Sequence, residues 1–110
     1  MSFKVVILQS AEIDLKDLRT YLTRQFSAQT WQNTFAELKT AIRNLGAMPY
    51  SGSIPEEIEK LNLSQYRQTL CGMNRIIYEV RDQTIYIHII ADTRKNLPGF
   101  LMKRLLQEKP

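Results

Sequence analysis

Cysteine and histidine are almost absent: Cys71 and His88 are the only examples in 110 residues. A lone cysteine excludes an internal disulfide framework, and with a lone histidine it excludes a Cys/His zinc cluster built by one chain. Long apolar runs are also missing. KVVILQ, NRIIYEV and TIYIHII fall far short of the roughly 18 residues of a membrane helix. There is no Gly-rich phosphate loop and no G-x-S-x-G nucleophile turn. The N-terminal MSFKVVIL lacks a basic-then-apolar signal pattern and runs straight into a strand-like alternation. With 44% hydrophobic and 24% charged residues, the chain has a globular rather than a disordered composition. Its length suits one domain and leaves no room for a separate nucleotide fold. The expectation is a single cytoplasmic domain over residues 1–110, with no metal and no cofactor.

The charge present is unevenly spread. The net charge is +4, and the N-terminal 66 residues sum to zero. The excess therefore sits in Arg67, Arg75, Arg81, Arg94, Lys95, Lys103, Arg104 and Lys109, against Glu79, Asp82, Asp92 and Glu108. A basic half suits an anionic partner, either nucleic acid or an acidic protein, and it equally suits a solvated face.

Hydrophobic spacing predicts a short strand over Phe3–Gln9, then a helix capped by Ser10 with Leu15, Leu18 and Leu22 on one face. Ser27 caps a second helix whose stripe is Trp31, Phe35, Leu38, Ile42 and Leu45. Gly46 suits the left-handed position after its end, and Pro49 stops it. Trp31 and Phe35 read as core residues rather than a platform for bases. Pro55 opens at most one helical turn, in which Glu56, Glu57 and Glu59 form a solvated start rather than acid–base machinery. Three alternating segments follow, Tyr66–Leu70, Arg75–Val80 and Thr84–Ala91, joined by hairpin-length turns. In the last of them Ile85, Ile87 and Ile89 point one way, toward the helices. Tyr86, His88 and Ile90 point the other way, onto a less covered face. Asn96 and Pro98 start a short helix with Leu97, Leu101 and Leu105 as its apolar stripe. The predicted class is α+β: an N-terminal strand, an αα-hairpin packed on an antiparallel sheet completed by a three-strand meander, and a short C-terminal helix.

Chemistry-bearing residues are few. His88 has no second metal ligand or nucleophile in view and reads as a structural histidine. Arg67, Arg75 and Arg94 stand at strand ends, where a meander can gather cations. A guanidinium fork suits phosphate and the charge of a phosphorane-like transition state. The same groups suit the acidic segment of a partner protein or plain solvation.

Tyr66-Arg67, then Gly72-Met73-Asn74-Arg75-Ile76-Ile77-Tyr78, then Ile90-Ala91-Asp92-Thr93-Arg94-Lys95, resemble the RelE/ParE superfamily of small toxins from type II toxin–antitoxin pairs, the plasmid stabilisation proteins. The resemblance covers nearly the whole chain. It implies a toxin neutralised by a cognate acidic antitoxin that orders on binding. The less covered sheet face and the basic final segment then offer Tyr86, His88, Lys95, Phe100, Lys103 and Arg104 as the candidate target- or antitoxin-binding residues. RelE-like members cut mRNA on the ribosome without a metal. For that activity Arg67, Arg75 and Arg94 would be the phosphate-binding, catalytic cluster. ParE-like members inhibit DNA gyrase and lack that chemistry. Aligning Arg94 with the arginine after the family's last strand places the ribonucleases' later tyrosine near Phe100, which has no hydroxyl to exchange a proton with the RNA 2′-OH. The expectation is a non-catalytic, ParE-like gyrase inhibitor. The alternatives are a ribosome-dependent endoribonuclease and an inactive binding module of the same fold.

Overall fold

A computed structural model describes residues 2–60, 65–93, 99, 103 and 104. The expected C-terminal helix, with Leu97, Leu101 and Leu105, lies outside the described residues, as do Arg94, Lys95 and Phe100. The element order is β1 (Lys4–Ile7), α1 (Gln9–Gln25), α2 (Ala28–Ala47), α3 (Glu56–Glu59), β2 (Tyr66–Cys71), β3 (Asn74–Arg81) and β4 (Thr84–Asp92). None of the helices described is long and apolar enough to cross a membrane.

The architecture is the expected α+β one, with one difference in strand direction. β2, β3 and β4 form the antiparallel meander. β1 joins the far side of β4 in parallel, so the sheet is mixed, in the order β1-β4-β3-β2. A hairpin could not have made that pairing. The two helices supply the crossover that a parallel pair requires.

Local signals set most of the boundaries. Ser27 is the N-cap of α2, its Oγ accepting from the Thr30 backbone N–H at 3.0 Å. α1 starts earlier than Ser10: Leu8 is its N-cap residue, and the Ser10 hydroxyl is buried inside the first turn with no hydrogen bond. Gly46 is still helical. Its value is closeness rather than a left-handed φ, because a Cβ there would sit 3.1 Å from the Phe3 carbonyl oxygen. The Gly46 carbonyl in turn accepts the Phe3 N–H at 2.7 Å. The hairpin β2–β3 turns at Gly72, whose φ is +60°, as a two-residue turn with glycine first requires. The β3–β4 turn forces Asp82 (φ 50°) and Gln83 (φ 65°) into the left-handed region. Glycine takes that conformation without the steric penalty a Cβ carries. Gln83→Gly is therefore expected to stabilise the fold by about 0.5–1 kcal/mol, read as a higher urea midpoint.

The core lies between the helices and one sheet face: Ala11, Leu38, Leu45, Ile76, Tyr78, Ile85, Ile87 and Ile90. Ile90 rather than Ile89 joins it, against the expected alternation. The reason is a β-bulge. Ile77 pairs with Ile89 but Tyr78 with Ile87, so His88 is an extra residue and the faces switch after it. The opposite face is also better covered than expected, since Ile77, Glu79, His88, Ile89 and Ala91 are all buried. Trp31 and Phe35 are only half-buried. They stack on each other at 5.0 Å, with Lys39 over the Phe35 ring.

Candidate functional site

Strand register decides which arginines meet. Arg67 lies opposite Tyr78, and Arg75 lies opposite Leu70. Side chains alternate along a strand, so Arg67 shares the helix-side face with Tyr78, while Arg75 shares the other face with Gln68 and Ile77. The two guanidiniums are not brought together, and Arg94 lies outside the described residues. Each has local work. Arg67 Nη1 donates to the Gly52 carbonyl at 2.7 Å, and its guanidinium lies over the Tyr50 ring at 5.2 Å. Arg75 Nη1 donates to Gln68 Oε1 at 3.3 Å.

Arg67 belongs to a strut that ties the 49–53 loop to the sheet. Tyr78 Oη donates to the Pro49 carbonyl at 2.9 Å and accepts the Gly52 N–H at 3.0 Å. Ser53 pairs with Gln68 along the outer edge of β2. Gly52 is needed for the close approach, since a Cβ there would meet the Gln68 carbonyl oxygen and lie 2.5 Å from Tyr78 Oη. Tyr78→Phe should leave a half-buried N–H and carbonyl without this partner and lower stability by about 1–2 kcal/mol in urea unfolding.

On the face turned away from the helices the structure assembles a charged network. Glu79 spends both oxygens: Oε1 bonds His88 Nε2 at 3.1 Å, and Oε2 accepts from Arg81 Nη2 at 2.8 Å. His88 is 1% exposed and meets the Tyr66 ring edge-on at 5.1 Å. Arg81 lies over Tyr86 at 5.6 Å, with about half its side chain in solvent: 47% is exposed. Of the expected binding residues, Tyr86 is therefore at the rim of this network and His88 is its buried centre. Lys103 is exposed. Sequence reasoning singled out neither Glu79 nor Arg81. Their i, i+2 spacing on a strand was the available signal, because it puts both on one face.

Arg104, also expected at a binding surface, is tied inward. Its guanidinium holds Asp14 with two contacts, Nη2 to Oδ1 at 2.8 Å and Nη1 to Oδ2 at 3.0 Å. Nη1 also donates to the His88 carbonyl at 3.1 Å. Asp14 Oδ2 accepts the Ile90 N–H at 2.9 Å. Beyond Ile87, no described strand pairs with this side of β4. β1 ends at Ile7, and its last tie is the Leu8 N–H to the Ile87 carbonyl. Asp14 and Arg104 satisfy the backbone groups that a longer β1 would have paired.

Burial pushes the Tyr78 phenol above its ordinary value of 10.0, partly offset by the Gly52 hydrogen bond and by Arg67. Burial first, then Glu79, pushes Tyr66 up from the same value, with Gln65 and Arg81 opposing. The Cys71 thiol is likewise raised from 9.0 by burial and by Glu37. The folded state thus holds these protons more tightly than the unfolded one. Stability is full below these values and falls as pH rises past them. The urea midpoint should drop above about pH 9–10, and Tyr66→Phe should blunt the drop. A flat profile to pH 11 would contradict this.

Among the described residues no group of His, Cys, Asp and Glu is placed to hold a metal ion. What the face offers is a half-exposed cation beside a phenol, suited to binding. Its one imidazole is buried and engaged.

Comparison with known proteins places this geometry. The family model described as the ParE toxin of type II toxin–antitoxin system, parDE, matches residues 5–97. No curated protein matches the sequence at a significant level. Among solved structures, the fold is similar to a chain of the chromosomal ParDE toxin–antitoxin system from P. aeruginosa. That match has a TM-score of 0.69 at 13% identity, covering 83% of this chain and 96% of that one. It is also similar to a chain of the toxin–antitoxin complex RelBE2 from Mycobacterium tuberculosis. There the TM-score is 0.57 at 18% identity, covering 84% of this chain and 99% of that one. At such identities the likeness is one of fold.

Proposed function

Because this chain belongs to the ParE toxin family of type II toxin–antitoxin systems, we propose that it arrests growth in the cytoplasm by inhibiting DNA gyrase. It does so by binding rather than by chemistry, and a cognate antitoxin neutralises it. The observation that carries the non-catalytic half is the register of β2 against β3. Arg67 and Arg75 lie on opposite faces of the sheet, so these two do not form a phosphate clamp. The lone histidine adds to this. A general acid or base must reach the proton it moves, and His88 is sealed against Glu79. The fold likeness to both ParDE and RelBE2 chains is compatible with either target, so gyrase rests on family membership and on the sequence alignment through Arg94, which puts the ribonucleases' tyrosine at or near Phe100.

The test is a supercoiling assay with purified gyrase, relaxed plasmid, ATP and the purified chain. Loss of supercoiling or trapped cleaved DNA at modest excess is the expected result. Unchanged supercoiling, together with mRNA cleavage that appears only when ribosomes are added, would overturn the proposal in favour of the ribonuclease. A chain that arrests nothing when expressed alone would point to the inactive binding module.

A further inference from the structure

The loop over residues 48–53 displays large apolar side chains in water on a backbone that is tied down. Met48 is 64% exposed and Tyr50 61%, and neither packs on the core. The Ser51 N–H reaches the Met48 carbonyl at 3.1 Å. Tyr78 ties Pro49 and Gly52 to β3, and Ser53 pairs with Gln68 on β2. Phe3 meets the Tyr50 ring edge-on at 6.4 Å. A surface held in place beforehand pays less ordering entropy when it binds.

The cation beside this loop differs from its counterparts. Arg81 and Arg104 each hold a carboxylate, Glu79 and Asp14 respectively. Half-buried Arg67 forms no ion pair with any described residue. Its Nη1 donates to the Gly52 carbonyl and its guanidinium lies over the Tyr50 ring, which leaves donors of the fork to spare.

Such a fork matches phosphate or carboxylate. An exposed ring paired with a guanidinium matches a nucleobase, since every base has a π-face. An acidic peptide meets the first requirement, whereas a nucleotide meets both at once. The net charge of +4 further favours a polyanion. Bases inside a duplex are stacked on one another, so the strand that fits is a single one.

We propose that the 48–53 loop and Arg67 form a binding site for single-stranded nucleic acid. A base stacks on the Tyr50–Arg67 pair, and the guanidinium holds an adjoining phosphate. The site goes beyond the gyrase reading and does not depend on it.

The test measures fluorescence anisotropy of a labelled oligothymidylate of about 10 nucleotides with the whole chain at low salt. An abasic deoxyribose-phosphate strand of equal length is the comparison. The thymidylate should bind about tenfold tighter, and Tyr50→Ala should erase that difference while Tyr50→Trp keeps it. Arg67→Gln should weaken both strands and reduce the slope of log K against log salt by about 0.7. Tyr50 is on the surface, so its variants stand even if Arg67→Gln unfolds, which circular dichroism and urea midpoints verify. Equal binding of the two strands overturns the proposal, and so does a thymidylate preference that survives Tyr50→Ala. Absence of binding at low salt overturns it too. A glutamate–tyrosine peptide of the same charge that binds as tightly, and is lost with Tyr50→Ala, overturns it in favour of an acidic protein segment. The assay contains neither gyrase nor ribosomes, so either this proposal or the functional reading can fail while the other stands.

Discussion

Glu79→Ala is expected to lower unfolding stability by about 2–4 kcal/mol, the cost of leaving a buried hydrogen-bonding group without its acceptor and of losing a charge-assisted bond. The size follows from where the carboxylate sits. Its side chain is 7% exposed and its two oxygens serve two elements, His88 on β4 and Arg81 at the end of β3. Alanine would leave a buried imidazole without the carboxylate, and water has little access to replace it. Much of the cost is thus the stranded group rather than the worth of the bond. Glu79→Leu combined with His88→Leu should therefore recover most of the stability that Glu79→Ala loses. Urea unfolding of the two variants measures both numbers. A loss below about 1 kcal/mol for Glu79→Ala would mean that the pair contributes no more than a surface bridge.

The second large effect is expected at Asp14. Asp14→Ala removes the acceptor of the Ile90 N–H and of both Arg104 nitrogens, at an expected cost of about 2–4 kcal/mol. Hydrogen exchange gives a specific signature, because the Ile90 amide should exchange much faster while the Ile76 and Ile85 amides keep their protection. Asp14→Asn retains an acceptor for Ile90 and should lose less. A double-mutant cycle with Arg104→Ala isolates the ion pair. Additive losses would show that Asp14 acts through Ile90 alone, and that Arg104 does not pin the C-terminal segment to β4.

These two sites show how far sequence reasoning reaches. Neither the Glu79–His88 pair nor the Asp14–Arg104 pair has a local signature, the second joining residues 90 positions apart. Elements whose cause is local were legible. The i, i+3, i+7 leucines of α1, the Ser27 cap, Pro55 before α3 and the two short turns each act through neighbouring residues, and each element formed close to where the pattern placed it. Family membership was legible as well, from short motifs in the right order. The arginines were legible only as residues. Their role depends on which face each occupies, and one residue of register moves a side chain to the other face.

The amino-acid sequence by itself determined an α+β fold, a helix hairpin over a meander with a basic second half, belonging to a toxin family. Periodicity, capping and turn chemistry are short-range and survive without the fold. Only the tertiary structure decided the rest: β1 in parallel beside β4, the bulge that turns Ile90 inward and His88 into a buried pair, and the separation of Arg67 from Arg75. Each depends on strand order and register, which no single segment encodes and which the packing of distant segments selects.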